Sequence, residues 1–260
     1  MSLIKTQQEI ELMRQGGAIL GSALQVAVDA VKPGVTMREL DDIAQQYLLD
    51  HDAKPSFKGY QSGGGVPFPA TMCISVNDEI VHGLGTREIR LKEGDIVGLD
   101  IGCWYKGLCT DMAVTVPVGS ISEERKMLLR TTRLALDRAV ESVRPGSQIA
   151  DIARAVEEVI DKNKYGIVRA LTGHGVGHAV HENPAIPNFV SGKFPVVKIK
   201  EGMCLAIEPM ITTGGHQIKT DADGWSIRTK DRSDAAHFEV TLAVTESGAE
   251  ILTPQPKIRI

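Results

Sequence analysis

Aromatic residues make up only 4% of the 260 residues, and cysteine occurs four times. Cys73, Cys103, Cys109 and Cys204 form no CxxC pair and are too few for a disulfide scaffold. The core must come from aliphatic packing, which a chain of this length can supply. A reducing, cytoplasmic setting is expected. No apolar run approaches the roughly 20 residues of a membrane-spanning helix. The opening MSLIKTQQEIELMRQ lacks the apolar stretch of a secretory signal. Neither sign of charge dominates: 29 Lys and Arg stand against 33 Asp and Glu, for a net charge of -4. That balance argues against a broad nucleic-acid surface. There is no GxSxG elbow and no cysteine in a thiol-protease setting. HENP is not HExxH, and the glycines of TGHGVGH do not form GxGxxG. A side-chain nucleophile, a zincin site and a dinucleotide site are therefore disfavoured.

What is present is a duplication. KEGDIVGLD (Lys92–Asp100) and KEGMCLAIE (Lys200–Glu208) each end an apolar run on an acid. VKPG, ending at Gly34, and VRPG, ending at Gly146, precede them; DMAVTVPVG from Asp111 and EVTLAVTESG from Glu239 follow. Three matches in one order predict a single domain, 1–260, of two similar halves, about 1–120 and 121–260. Each half reads as helix, Pro-Gly break, helix, strand ending in an acid, loop, strand starting with an acid. Thr6 with Glu9, and Thr36 with Glu39, have the spacing of capping boxes. Ser122 before Glu123 and Glu124 starts a helix to Val143, and Ser147 opens another to about Lys162. Pro33 and Pro145 stop the helices before them. QSGGGVPFP, from Gln61 to Pro69, is a loop by composition.

Strand parity sorts the residues around the acids, because successive side chains point to opposite faces. Asp100 shares a face with Gly98; Asp111 with Ala113 and Thr115; Glu208 with Cys204 and Ala206; Glu239 with His237, Thr241 and Ala243. The other faces carry Val97, Leu99 and Ile101; Met112, Val114 and Val116; Met203, Leu205 and Ile207; Phe238, Val240, Leu242 and Val244. A solvated sheet face would carry Lys, Thr, Gln and Glu beside the acids, not Gly, Ala and Cys. Small neighbours imply a covered face. Four carboxylates there must be protonated or met by cations, and no Lys or Arg shares the faces. Two divalent ions would balance the charge, and oxygen ligands favour Mn, Mg, Fe or Co over tetrahedral zinc. His174, His178 and His181 crowd one glycine-rich stretch too broken for a helix. In an extended run His174 and His178 share a face and His181 takes the other. His82 is a further candidate, while His51 and His216 read as surface residues.

The motifs NDEIVHG, LDIGCWYKGLCTDMAVTVPVG, TGHGVGHAVHENP, AIEPM and TKDRSDAAHFEVT, in that order, resemble the type I methionine aminopeptidases of peptidase family M24. The likeness runs from about Ile10 to Thr253. It implies an α+β pita-bread fold: two pseudo-two-fold-related halves, with helices backing a curved antiparallel β-sheet. It implies five metal ligands, Asp100, Asp111, His174, Glu208 and Glu239, with Asp111 and Glu239 bridging two divalent ions (Co, Mn or Fe, with Zn or Ni as further candidates). Glu208 would also take the proton of the attacking water, and His82 and His181 would stabilise the tetrahedral intermediate. Tyr60, Phe68, Cys73, Val180 and Trp225, with His82 and His181, would receive the substrate methionine.

The implied activity is removal of the N-terminal methionine from nascent proteins and peptides, with a small second residue favoured. A monomer in transient contact with the ribosome is expected, with neither nucleic acid as substrate nor a membrane as partner. Val180 stands where an aromatic is common and His178 where arginine is expected. A proline-specific peptidase of the same fold is the nearest rival, but such enzymes usually carry an additional N-terminal domain. A catalytically inert relative would usually have lost ligands.

Overall fold

A computed structural model describes residues 3–61, 65–160, 164–192 and 196–260, and contains four helices laid against antiparallel sheets. Helix α1 (Gln7–Ala30) starts where Thr6 accepts the Glu9 N–H at 3.2 Å and Glu9 accepts the Thr6 N–H at 2.7 Å. The same box at Thr36 and Glu39, at 3.1 and 2.7 Å, starts α2 (Met37–Asp50). Ser122 caps α3 (Glu123–Glu141), which stops short of Val143. Helix α4 (Ile149–Val159) begins later than expected. Ser147 turns its hydroxyl back on Arg144, accepting its N–H at 3.2 Å and donating to its carbonyl at 2.7 Å. It closes the Pro-Gly turn, and the Gln148 N–H, held by Asp151 at 2.8 Å, starts the helix. The expected helix end at Lys162 lies outside the described residues, as do 62–64 of the Gly-rich loop. No described helix is long and apolar enough to cross a membrane.

The two halves repeat in hydrogen-bonding detail. Gly34 and Gly146, with φ of +93° and +91°, donate to Leu91 and Ile199 at 2.8 and 2.9 Å. Gly94 and Gly202 donate to Val118 and Val244 at 3.0 and 2.9 Å. In the first half, strand Ile96–Tyr105 pairs with Met72–Val76 and Leu108–Pro117. In the second, Cys204–Ile207 pairs with Gly173–Gly175 and Val240–Thr245. Both acids of the second half lie just outside these strands. Pro209 cannot continue a ladder, so Glu208 follows the strand end, and Glu239 falls between Ala235–His237 and Val240–Thr245.

The parity reading holds. Val97, Leu99, Ile101, Met112, Val114, Val116, Leu205, Ile207, Phe238, Val240, Leu242 and Val244 pack with the helices in one core. Each large side chain buried there contributes about 1.5–3 kcal/mol. Cys73, Cys204, Ala206 and Ala243 face the other way, into a second cluster.

The halves meet along a seam held partly by threonine hydroxyls. Glu239 and Ala113 exchange backbone hydrogen bonds, at 2.8 Å for the Glu239 N–H and 3.3 Å for the Ala113 N–H. On one side, Thr241 Oγ1 accepts the Asp111 N–H at 2.9 Å and donates to the Asp111 carbonyl at 2.8 Å. On the other, Thr115 Oγ1 treats the His237 N–H and carbonyl alike, both at 2.9 Å. Thr241→Val keeps the shape but strands two buried backbone groups of Asp111. A loss of about 1–3 kcal/mol is expected in urea unfolding of the metal-free protein. An unchanged midpoint would mean that packing alone holds the seam.

Candidate metal centre

The seam brings together acids that the chain spaces far apart. Asp100 sits opposite Cys73 and Ala113, and Asp111 opposite Gly102. Donor atoms of Asp111, His174 and Glu239 all lie within 4.8 Å of one another. Glu208 Oε1 stands 3.6 Å from His174 Nε2. With Asp100 they line one cavity of about 220 Å³. Asp100, Asp111 and Glu239 are 8%, 3% and 2% exposed. Asp100 Oδ1, Asp111 Oδ1 and Glu239 Oε1 have no hydrogen-bond partner. Burial raises all three acids, and their mutual repulsion adds to it. Asp100 reaches about 7, with Glu208 raising it further while His237 opposes. Asp111 and Glu239 stand well above the usual carboxylate range. Unpartnered buried oxygens around one point are what a cation with oxygen ligands requires, so the residues fit a divalent metal.

The histidines divide by what holds them. His174 Nδ1 lies 2.8 Å from the Gly175 carbonyl. Donation there leaves Nε2 with its lone pair toward Glu208, an arrangement common in metal-binding histidines. The parity expected for the next two histidines fails. The strand ends at Gly175 and the chain turns, so His178 leaves the site and its Nε2 meets Glu9 Oε1 at 2.7 Å. His181 instead comes back with its ring centroid 4.5 Å from that of His174. Tyr60 Oη holds His181 Nδ1 at 2.8 Å. His82 enters from the opposite wall on a left-handed backbone, φ +59°, uncommon outside glycine. Burial lowers His82 to about 4. Burial and then the His174 ring lower His181 to the same value.

Around them is an apolar wall. Phe68 and Trp225 meet edge to face at 5.2 Å, and the Trp225 indole N–H donates to the Val66 carbonyl at 3.0 Å. Burial, then Asp100 and Asp111, push the Cys73 thiol up, so it remains neutral. Tyr60, Phe68, Cys73 and Trp225 line the cavity, as do Phe57 and Val81. Val180 does not; it is buried behind the wall beside Phe57 and Phe68. The turn that carries His181 to the cavity sets Val180 into the packing.

His237 is the residue that sequence reasoning passed over. It is 3% exposed, and its Nε2 stands 3.3 Å from Glu208 Oε2 and 4.0 Å from Glu239 Oε2. Its place on the acid face beside Glu239 was the available signal.

A model of metallopeptidase family M24 matches residues 11–246. The chain is 42% identical to a methionine aminopeptidase of Clostridium acetobutylicum, over 97% of this chain and 99% of that one. It superposes on the crystal structure of methionine aminopeptidase from Thermotoga maritima with a TM-score of 0.90, at 40% identity, covering 97% and 99% of the two chains. Prolidase from Pyrococcus furiosus shares the fold at a TM-score of 0.75 and 25% identity. There the match covers 98% of this chain but 66% of the prolidase. The architecture is thus the pita-bread fold, and the chain belongs to metallopeptidase family M24, grouping with its methionine aminopeptidases.

Proposed function

We propose that the chain removes the N-terminal methionine of polypeptides by metal-dependent hydrolysis, at one site on the seam of a single domain. The observation that carries this reading is the group of buried acids with unpartnered oxygens beside an aromatic-lined pocket. In this reading Asp100, Asp111, His174, Glu208 and Glu239 would hold two divalent ions. The donor set suits Mn, Fe or Co. When bound, such a pair supplies activated water and polarises the scissile carbonyl.

The remaining work falls to side chains. The Glu208 side chain is 12% exposed against 3% for the Glu239 side chain, so it is the more open to the pocket and accepts the proton of the attacking water. His237 Nε2 approaches it at 3.3 Å without forming a hydrogen bond. The Tyr60 hydroxyl, donating into His181 Nδ1, leaves the His181 Nε2–H free to face the substrate. There His181 and His82, both neutral at pH 7, donate to the oxygen on which charge develops. The substrate ammonium meets Asp100, which restricts cleavage to chain ends. Its thioether packs on the aromatic rings of Tyr60, Phe68 and Trp225, contacts that sulfur favours. A small second residue is favoured in this reading, on the strength of the likeness to methionine aminopeptidases.

Asp111→Asn and His174→Ala should each lower kcat/KM on a Met-Gly peptide by at least about a hundredfold, with far-UV circular dichroism unchanged. Full activity in either variant would refute the ligand assignment. Turnover of Met-Gly starts should far exceed that of Met-Lys and Xaa-Pro starts; a preference for Xaa-Pro would sink the substrate reading. The metal-free site holds protons on raised carboxyls that metal must displace. Calorimetric titration with Mn at pH 6 in two buffers should therefore show release of about one proton or more. No buffer dependence would mean that the acids are already ionised.

A further inference from the structure

His178 stands where arginine was expected and takes no part in the site described above, yet its surroundings are specific. Its Nε2 lies 2.7 Å from Glu9 Oε1, while its Nδ1, 4.0 Å from Glu182 Oε1, has no hydrogen-bond partner. The other Glu9 oxygen accepts the Thr6 N–H and hydroxyl at 2.7 and 2.9 Å. The bond to His178, followed by those from Thr6, lowers the Glu9 carboxyl to about 2. Glu182 Oε1 accepts the backbone N–H groups of His178 and Ala179 at 2.5 and 3.0 Å. Its Oε2 accepts from Lys5 Nζ at 2.5 Å. The Lys5 and Glu182 side chains are 1% and 6% exposed, so neither charge can leave the other cheaply. Gly177, at φ +139°, makes room: a Cβ there would come within 2.5 Å of Lys5 Cε.

These bonds converge on one turn. Residues 178–181 make no strand pairing between Gly173–Gly175 and Glu182–Ile186. Side chains of Glu9, Glu182 and Tyr60 hold them instead. Unanchored turns move easily, and this one carries His181. We propose that His178 is a positioning residue: its Nε2 on Glu9, together with its backbone N–H on Glu182, locks the 176–182 turn to the start of α1 and so holds His181 over the pocket. The capping box of α1 thus has a second task, since the carboxylate that starts the helix also anchors the site. The inference rests on the reading of His181 as a donor to the reacting carbonyl.

The test pairs amide exchange in the metal-free protein with kinetics of the metal-loaded one. His178→Ala should speed exchange across 174–183 by about tenfold and leave 240–245 unchanged. It should lower kcat on a Met-Gly peptide by about tenfold, with KM within about twofold, because misplacing one catalytic group affects the transition state most. His178→Arg, which keeps a side-chain donor for Glu9 and the same backbone N–H, should restore exchange and kcat together. Wild-type exchange in His178→Ala, or a loss that His178→Arg does not recover, would overturn the anchoring role. Faster exchange with unchanged kcat would uphold the anchor and overturn the role given to His181.

Discussion

Carboxylates drawn into one covered site repel strongly, and the interior cannot screen them as water does. Asp100, Asp111 and Glu239 all carry raised pKa values for that reason, burial first and neighbouring acids next. Much of the surrounding structure accommodates this conflict. Gly98, Ala113, Ala206 and Ala243 keep the acid-bearing faces low, leaving space between the acids. The nearby histidines His82 and His181 are held neutral, so they can donate hydrogen bonds without serving as the missing counter-charge. Protons on the raised carboxyls relieve the repulsion until bound cations replace them.

The seam follows from the same demand. Acids from two halves can meet only if two sheets meet edge to edge where the acids stand. A continuous ladder would bury every backbone group there, but beside the acids, among the described residues, Glu239 and Ala113 form an isolated bridge. On either side of them Thr241 and Thr115 supply hydroxyls that both accept and donate. A threonine reaches farther than a backbone amide, so the strands can splay while the backbone groups of Asp111 and His237 remain satisfied.

Local rules carried much of this. Two capping boxes were readable because Thr and Glu stand at fixed spacing, and the four acids because strand parity needs only the pattern of large and small neighbours. The misses came from long-range geometry. An extended run would put His178 beside His174, but the strand stops at Gly175, and the turn brings His181 to the cavity, the histidine that the family likeness implies there. Val180 went into the packing with that turn. The hydroxyl bridges of Thr115 and Thr241 depend on a register between residues far apart in sequence. His237 was visible on the acid face, yet a histidine beside an acid can equally be filling, and only its approach to Glu208 distinguishes the two.

The duplication explains a pairing that neither half shows alone. His174 pairs with Ala206, two residues before Glu208, and Ser75 pairs with Gly98, two residues before Asp100. His174 and Ser75 therefore occupy equivalent places. His181 follows His174 at the interval at which His82 follows Ser75, so these two histidines are equivalent as well. The pseudo-two-fold puts one on each side of the pocket, and burial lowers both to about 4. At the other pair of places the halves differ. His174 directs its ring nitrogen at the acids, while Ser75 turns its hydroxyl to accept the Gly83 N–H at 3.2 Å. That bond braces the backbone beside His82, as the bonds from His178 and Ala179 to Glu182 brace the turn beside His181. A symmetric frame thus brings two neutral histidines to the pocket, and a departure from symmetry turns the His174 ring nitrogen toward the acids.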